Sequence, residues 1–257
     1  MRIEGSAALV TGGASGLGEA AARRLYKQGA AVVLFDRDGE RAQTIAAELG
    51  DRAVSVVGDA AIEGDVQRAV DAAARLGPLR IAVLCAGGAA RSERTLARDG
   101  SPHDLERFAT VLTLNVVTTF NALRLAAAAM ARLDPLGDDD ERGVIVTTSS
   151  IAGYEGQIGQ VAYGTAKAGI IGMTLIAARD LAVSGIRVNS IAPGTIHTRA
   201  WDGAPGNMVA ELESRVPFPR RFGRPEEFAG LVEHLVTNPY LNGHVVRLDG
   251  AIRFDPK

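Results

Sequence analysis

Between residues 7 and 248, short unbroken apolar runs alternate with longer stretches of helical period, and glycine or proline punctuates most of the junctions. An apolar run of five or six residues, without polar alternation, reads as a strand buried on both faces. Such strands need helices above and below them, and parallel pairing through right-handed crossovers supplies that arrangement. The strand readings fall at 7–11, 31–36, 53–57, 81–85, 143–148, 186–192 and 245–248. The helix readings fall at 17–28, 39–49, 65–76, about 102–133, 157–183, about 208–216 and 225–237. Gly29, Gly50, Gly77-Pro78 and Gly185 stand where a helix end takes a left-handed residue or a stop. Ser101-Pro102-His103-Asp104 offers an N-cap, a first-turn proline and a capping acid to the long helix. The expected fold is therefore α/β and doubly wound (Rossmann): a seven-stranded parallel sheet with helices on both faces. Without a linker or repeat, residues 1–257 form a single domain. It includes an irregular polar stretch at 89–100 and a substrate-binding segment at about 194–219.

Composition narrows the partners. With 47% hydrophobic and 23% charged residues and a net charge of −2, the chain can bury a core and carries no basic stripe for nucleic acid. The longest apolar run, 169–178, is about half the ~18 residues that cross a bilayer, so no membrane partner is expected. Cys85 is the only cysteine, which excludes an internal disulfide. The four histidines lack paired spacing, and Asp138-Asp139-Asp140-Glu141 reads as a solvated turn, so no metal is expected. The N-terminus enters a strand almost at once, leaving no room for a signal or transit peptide, and the expectation is a cytoplasmic protein.

Chemistry enters at the first turn. Gly12, Ser15, Gly16, Leu17 and Gly18 lie between the first strand and the first helix, where a pyrophosphate needs close backbone approach and unpaired N–H groups. Asp36 follows at the end of the second strand, near the ~20-residue interval expected of an acid that binds the adenosine ribose. Its carboxylate would accept from both ribose hydroxyls and repel a 2′-phosphate; the alternative is a helix N-cap. Arg37 pulls the other way, but no basic residue lies within the turn itself, and NAD is the favoured cofactor. Asp59 and Ala60, past the third strand, would meet the adenine; the alternative for Asp59 is again an N-cap.

Tyr163 and Lys167 stand four residues apart on one helix face, a spacing that by itself often marks a surface pair. The fifth strand ends in Ser150, at the carboxyl edge of the sheet where ligands of open α/β sheets bind. Oxidising a secondary alcohol needs a hydride acceptor and a base. Tyrosine becomes a base near neutral pH only if its pKa falls from ~10, and Lys167 and a nicotinium ring are the charges that would lower it. Ser150 would donate to the substrate oxygen. Asn115 interrupts the long helix, where an amide reads either as a half-exposed polar position or as a kink whose freed carbonyl holds a water linked to Lys167.

Thr11-Gly12-x-x-x-Gly16-x-Gly18, Asn115, Ser150, Tyr163-x-x-x-Lys167 and Pro193-Gly194, in that order and spacing, resemble the short-chain dehydrogenase/reductase family over essentially the whole chain. The resemblance implies strand order 3-2-1-4-5-6-7, a tyrosine base supported by serine, lysine and asparagine, and a homotetramer. It implies that Cys85, Ala86, Gly87, Tyr163, Lys167, Pro193, Gly194 and Thr198 contact the cofactor, Thr198 at the nicotinamide end. Leu84-Cys85 replaces the usual pair of asparagines, a loss that should weaken support of the fourth strand. The segments 154–160, 216–219 and 241–253 are similar to a subgroup that oxidises 3-hydroxyacyl-CoA and is also described as a 17β-hydroxysteroid dehydrogenase. By that likeness Gln157 and Gln160 line the substrate site.

The implied activity is NAD-dependent interconversion of 3-hydroxyacyl-CoA and 3-oxoacyl-CoA. An NADPH-dependent reductase of 3-oxoacyl-carrier-protein or another ketone or steroid is the enzymatic alternative. A cofactor-sensing interaction subunit is the non-enzymatic one. Arg91, Arg94 and Arg98 would meet CoA phosphates or form a mobile charged loop, and Trp201, Met208 and Leu212 would roof the pocket or pack on the helix from Pro225.

Overall fold

A computed structural model describes residues 1–88, 91–203 and 205–256. Ala89 and Ala90 of the polar stretch, Ala204 of the segment 194–219 and Lys257 of the single domain lie outside the described residues. The first strand, β1 (Ala7–Thr11), is buried along its whole length. Its side chains divide by the two-residue period, with Ala8 and Val10 in one apolar layer and Ala7 and Leu9 in the other. The same division holds in β2 (Ala31–Asp36) and, from Ile81 onward, in β4 (Leu79–Leu84), where a register shift against β1 puts Leu79 in the second layer. β3 (Ala53–Val57), β5 (Gly143–Thr148), β6 (Ile186–Pro193) and β7 (Val245–Leu248) complete a parallel sheet of order β3-β2-β1-β4-β5-β6-β7, as the family resemblance implies.

Helices cover both faces because both faces are apolar. α1 (Gly16–Lys27), α2 (Gly39–Leu49) and α8 (Pro225–Thr237) bury Leu25, Ile45 and Phe228 in one layer. α3 (Glu63–Leu76), α5 (Thr118–Met130) and α6 (Val161–Ala182) bury Val66, Leu123 and Ala177 in the other. Each fully buried Leu, Ile or Phe is worth about 1.5–3 kcal/mol, so the two layers account for most of the favourable energy of folding.

Several boundaries move, and the long helix changes character. It starts at α4 (Leu105–Leu112) instead of residue 102, because Asp104, not Ser101, accepts from the Glu106 and Arg107 backbone N–H groups. It passes through a five-residue π-helical turn, Thr113–Val117, before continuing as α5. α6 begins at Val161, after Gln160, not at residue 157. The short helix α7 spans Gly206–Ser214.

Two helical stretches, Leu105–Met130 (26 residues) and Val161–Ala182 (22 residues), are long and apolar enough to cross a bilayer by length and composition. Counting unbroken apolar runs missed this, because isolated Arg and Lys residues divide stretches whose average stays apolar. Half of the more apolar window of the first and 39% of that of the second are buried in the fold.

The acidic run is not wholly a solvated turn. Asp138, Asp139 and Asp140 are exposed, but Glu141 is paired at 2.8 Å with the buried Arg187 and at 2.8 Å with the Met1 amino group. Arg187 also donates to the carbonyls of Leu235, Val236 and Leu241, joining β6 to the C-terminal end of α8. Among the described residues no group of three His, Cys, Asp or Glu side chains is placed to hold a metal ion.

Candidate active site

All strands run parallel, so their carboxyl ends open on one edge of the sheet, and a cleft of about 560 Å³ lies there. Its lining joins the glycine turn, Asp36, Asp59, Ala60, Cys85, Ala86, Gly87, Ser150, Gln160, Tyr163, Lys167, Pro193, Gly194 and Thr198. One sequence therefore supplies, from positions up to 242 residues apart (12 to 254), the wall of a single cleft.

The turn is shaped for close approach. Gly12 has φ +66°, and a Cβ there would stand 3.0 Å from the Ala86 nitrogen. A Cβ on Gly18 would meet the Gly12 carbonyl oxygen. Ser15 precedes α1 in extended conformation but makes no side-chain cap, so the first-turn N–H groups keep no side-chain partner from it. An anion fits that end of the helix on both charge and hydrogen bonding.

Asp36 is not the N-cap of α2; Asp38 is, accepting from the Arg41 N–H. The Asp36 carboxylate instead accepts from the Ala14 and Asp38 N–H groups, each at 3.0 Å, which fixes it at the glycine turn and on the cleft wall. Asp59 is not an N-cap of α3 either, since Ile62 holds that position. It accepts from the Ala61 N–H at 2.8 Å and pairs with the exposed Arg37 at 3.4 Å. A basic group does reach the turn from outside it: Arg41 donates to the Ala14 carbonyl at 2.6 Å, with Glu19 at 2.7 Å balancing its charge.

The turn after β4 keeps firm support without the usual asparagines. Thr11 Oγ1 accepts from the Ala86 N–H at 3.1 Å, and Thr148 Oγ1 donates to Cys85 Sγ at 3.3 Å. Asn115, fully buried, accepts from the Gly88 N–H at 3.2 Å and donates to the carbonyls of Gly88 and Val111. A Cβ on Gly87 would stand 2.7 Å from Asn115 Oδ1, so the asparagine and the glycine, at φ +149°, depend on each other. The expected kink is present as the π-helical turn, and its Asn115 carbonyl accepts from the Thr119 hydroxyl at 2.7 Å.

Ser150 Oγ accepts from the Ala152 N–H at 3.1 Å, capping a short 3-10 turn at Ile151–Gly153. Lys167 Nζ is buried, donates to the Thr148 carbonyl at 3.0 Å and lies 5.6 Å from the centre of the Tyr163 ring. Burial pushes the Tyr163 phenol above its ordinary pKa, with the hydrogen bond to Ser150 opposing. The lowering expected from Lys167 is not what the fold produces: the net shift is upward, with burial outweighing the Ser150 hydrogen bond. Burial also lowers Lys167 to about 8, the Cys85 thiol acting the other way, and it raises Cys85 to about 11, so the thiol is un-ionised at neutral pH.

An unfolded lysine holds its proton up to ~10.4. Between about pH 8 and that value the unfolded chain binds the extra proton, so the Lys167 contribution rises with pH across this window. Wild type measured against Lys167→Met by urea unfolding should gain relative stability from pH 8 to pH 10; a flat difference would refute the lowered pKa. Both proteins carry Cys85→Ala in addition, because Lys167 and Cys85 shift each other and the thiol would otherwise titrate differently in the two.

Not every expected residue converges. Gln160 lines the cleft, whereas Gln157 turns its amide to the Asp255 carbonyl at 3.4 Å. Loop 154–160 is tied to the C-terminal tail, and that tie draws Gln157 away. Trp201 lines the cleft and packs at a tilt on Phe222 with ring centres 5.0 Å apart, but Met208 and Leu212 do not line it, and α7 buries none of its residues. Arg91, Arg94 and Arg98 are exposed outside the cleft lining. Sequence reasoning missed Leu114, Thr195, Arg199 and Phe254, all on the cleft wall, because nothing in their local patterns signals a site.

The sequence profile of the family described as short chain dehydrogenase matches residues 6–206. The chain is 46% identical over 255 residues to a Homo sapiens protein named 3-hydroxyacyl-CoA dehydrogenase type-2, covering 99% of this chain and 97% of that one. It is 36% identical to the ipsdienol dehydrogenase of Ips pini, covering 98% and 99%. A crystal structure of 3-hydroxyacyl-CoA dehydrogenase type-2 from Mycobacterium avium superposes with a TM-score of 0.97 at 49% identity, covering 98% of each chain. The glycine turn, the Ser150–Tyr163–Lys167 cleft and these likenesses agree, and the chain belongs to the short-chain dehydrogenase family, oxidoreductases that work with a nicotinamide cofactor.

Proposed function

We propose that the protein interconverts 3-hydroxyacyl-CoA and 3-oxoacyl-CoA with NAD as cofactor. The observation that carries the reading is the meeting of Ser150, Tyr163 and Lys167 with Asp36 on one cleft wall, in a chain so similar to dehydrogenases of that name. A nicotinamide cofactor held by the glycine turn and Asp36 would supply the hydride acceptor for the alcohol carbon, and the hydride donor for the ketone. Ser150 Oγ–H donates to the substrate oxygen, stabilising the charge that develops there. Tyr163 Oη removes the hydroxyl proton in oxidation and supplies it in reduction. The Lys167 ammonium, anchored on the Thr148 carbonyl, holds positive charge near the phenol and favours phenolate. Asn115 keeps the Gly87-Gly88 backbone in place beside the cofactor cleft.

Asp36 supports NAD, since its carboxylate is fixed on the cleft wall and would repel a 2′-phosphate. Arg37 is held toward Asp59, and Arg41 toward Glu19. Steady-state assays with acetoacetyl-CoA should give much higher kcat/KM with NADH than with NADPH; no turnover of the thioester, with brisk turnover of a steroid or small ketone, would sink the substrate reading. Asp36→Ala should weaken NADH at least about tenfold and narrow the preference, because a charge-assisted hydrogen bond of this kind is worth about 1.5–3 kcal/mol. An unchanged preference by titration would overturn the role of Asp36.

The homotetramer also stands as a proposal. Leu105, Val117, Phe120, Val161 and Ile176, on α4, the π-helical turn, α5 and α6, are between 40% and 77% exposed, a large apolar surface for a lone chain. A second copy supplies a matching face by symmetry. Sedimentation equilibrium should return the mass of four chains.

A further inference from the structure

Beyond β7 the chain turns through two left-handed residues, Gly250 (φ +58°) and Ala251 (φ +67°), into a tail at 251–256. Ile252 is buried with Ile151 and Val216. Phe254 packs on that cluster, stays half-buried, and lines the same cleft as Tyr163, Gln160 and Trp201. The tail is pinned on two sides. Arg247 donates to Asp249 at 2.6 Å, to Glu155 at 3.3 Å and to the Ile252 carbonyl at 3.2 Å, and Arg253 donates to Asp249 at 3.1 Å. Further along, the Ile158 N–H donates to the Pro256 carbonyl at 2.9 Å and Gln157 to the Asp255 carbonyl. Glu155, Gln157 and Ile158 belong to the loop that leads to Gln160, so loop and tail form one tied unit on the cleft wall.

A tail that only completed the core would be finished at Ile252. The anchors past it hold in place an aromatic ring that is not fully buried and whose free surface belongs to the cleft. A rigid phenyl ring is a large apolar wall, able to exclude bulk or to pack on it, but with no chemistry of its own. We propose that Phe254 is a specificity-determining residue: its ring limits how much alkyl chain a substrate carries beyond the reacting carbon, and the Arg247–Glu155 pair positions it. This inference rests on the reading that the cleft takes 3-oxoacyl-CoA thioesters.

The test compares kcat/KM for 3-oxooctanoyl-CoA with that for acetoacetyl-CoA. In Phe254→Ala the ratio of long to short substrate should rise at least about tenfold, the low end of what a methylene or two in an apolar pocket is worth. Phe254→Leu should fall between that and wild type, which keeps the test available if the alanine variant folds poorly. Arg247→Met should move the ratio in the same direction by a smaller factor, and NADH dissociation constants should stay within twofold in the Phe254 variants. A ratio within twofold of wild type in both Phe254→Ala and Phe254→Leu would overturn the proposal. If wild type reduces neither thioester, the substrate reading has failed separately. The ratio is then measured on ethyl 3-oxooctanoate and ethyl acetoacetate, where an unchanged value again overturns the role of Phe254.

Discussion

Tyr163→Phe should lower kcat by about 10³-fold, within the 10²–10⁴ range supplied by a positioned acid–base group, and leave NADH affinity within about twofold. The substitution deletes one hydroxyl and keeps the ring that packs on the cluster of Val111, Ala162 and Ala166. The cleft therefore keeps its shape and loses only its proton-transfer group. Ser150 and Lys167 remain, but neither is arranged to replace the phenol: Ser150 Oγ serves the Ala152 N–H, and Lys167 Nζ is held by the Thr148 carbonyl. Fluorescence titration with NADH alongside steady-state turnover separates the two effects. Turnover near the wild-type rate would refute the base, and lost NADH binding would show that the hydroxyl acts in binding instead. The same variant discriminates against a cofactor-sensing subunit, for which the phenol oxygen has no use.

Arg187→Met should cost about 3–5 kcal/mol, the usual consequence of removing one partner from a buried ion pair. The carbonyls of Leu235, Val236 and Leu241 lose their side-chain donor at once, and the Glu141 carboxylate is left with the Met1 amino group alone. The carboxylate is mostly shielded from water, and two of the carbonyls lie in the last turn of α8. At about 2–4 °C per kcal/mol for a domain of this size, the melting temperature should fall by roughly 10 °C, with the urea midpoint falling in parallel. Glu141→Gln should cost less, because Arg187 keeps its three carbonyl partners. Equal losses in the two variants would show that the ion pair, not the carbonyl network, carries the effect. Activity at low temperature should survive both changes, since neither residue lines the cleft.

The order of strands and helices was legible because each depends on neighbours within a few residues. Ala8 and Val10 face one way and Ala7 and Leu9 the other by the geometry of any strand, and unbroken apolar runs demand cover on both sides. The glycine turn and the Tyr163–Lys167 pair were legible for a related reason, since a sharp turn and one turn of helix are themselves local. Helix starts were less so: Ser101 and Asp104 are both good caps, and only the path of the chain lets Asp104 reach the Glu106 and Arg107 N–H groups.

What the sequence by itself determined is the layered fold, the edge of the sheet on which a dinucleotide would bind, and the residue types that meet a hydride and a proton there. Only the tertiary structure decided that Asp36 serves the glycine turn instead of a helix, that Asn115 grips Gly88, that Gln157 turns away from the cleft while Phe254 lines it, and that burial raises the Tyr163 phenol against its hydrogen bond to Ser150. These contacts join positions that are 22 to 98 residues apart, or depend on how much water the assembled walls exclude. Periodicity and capping patterns report what a residue does to its own turn of chain. Which distant turn it meets, and how dry the meeting place is, exists only after the sheet has closed its layers.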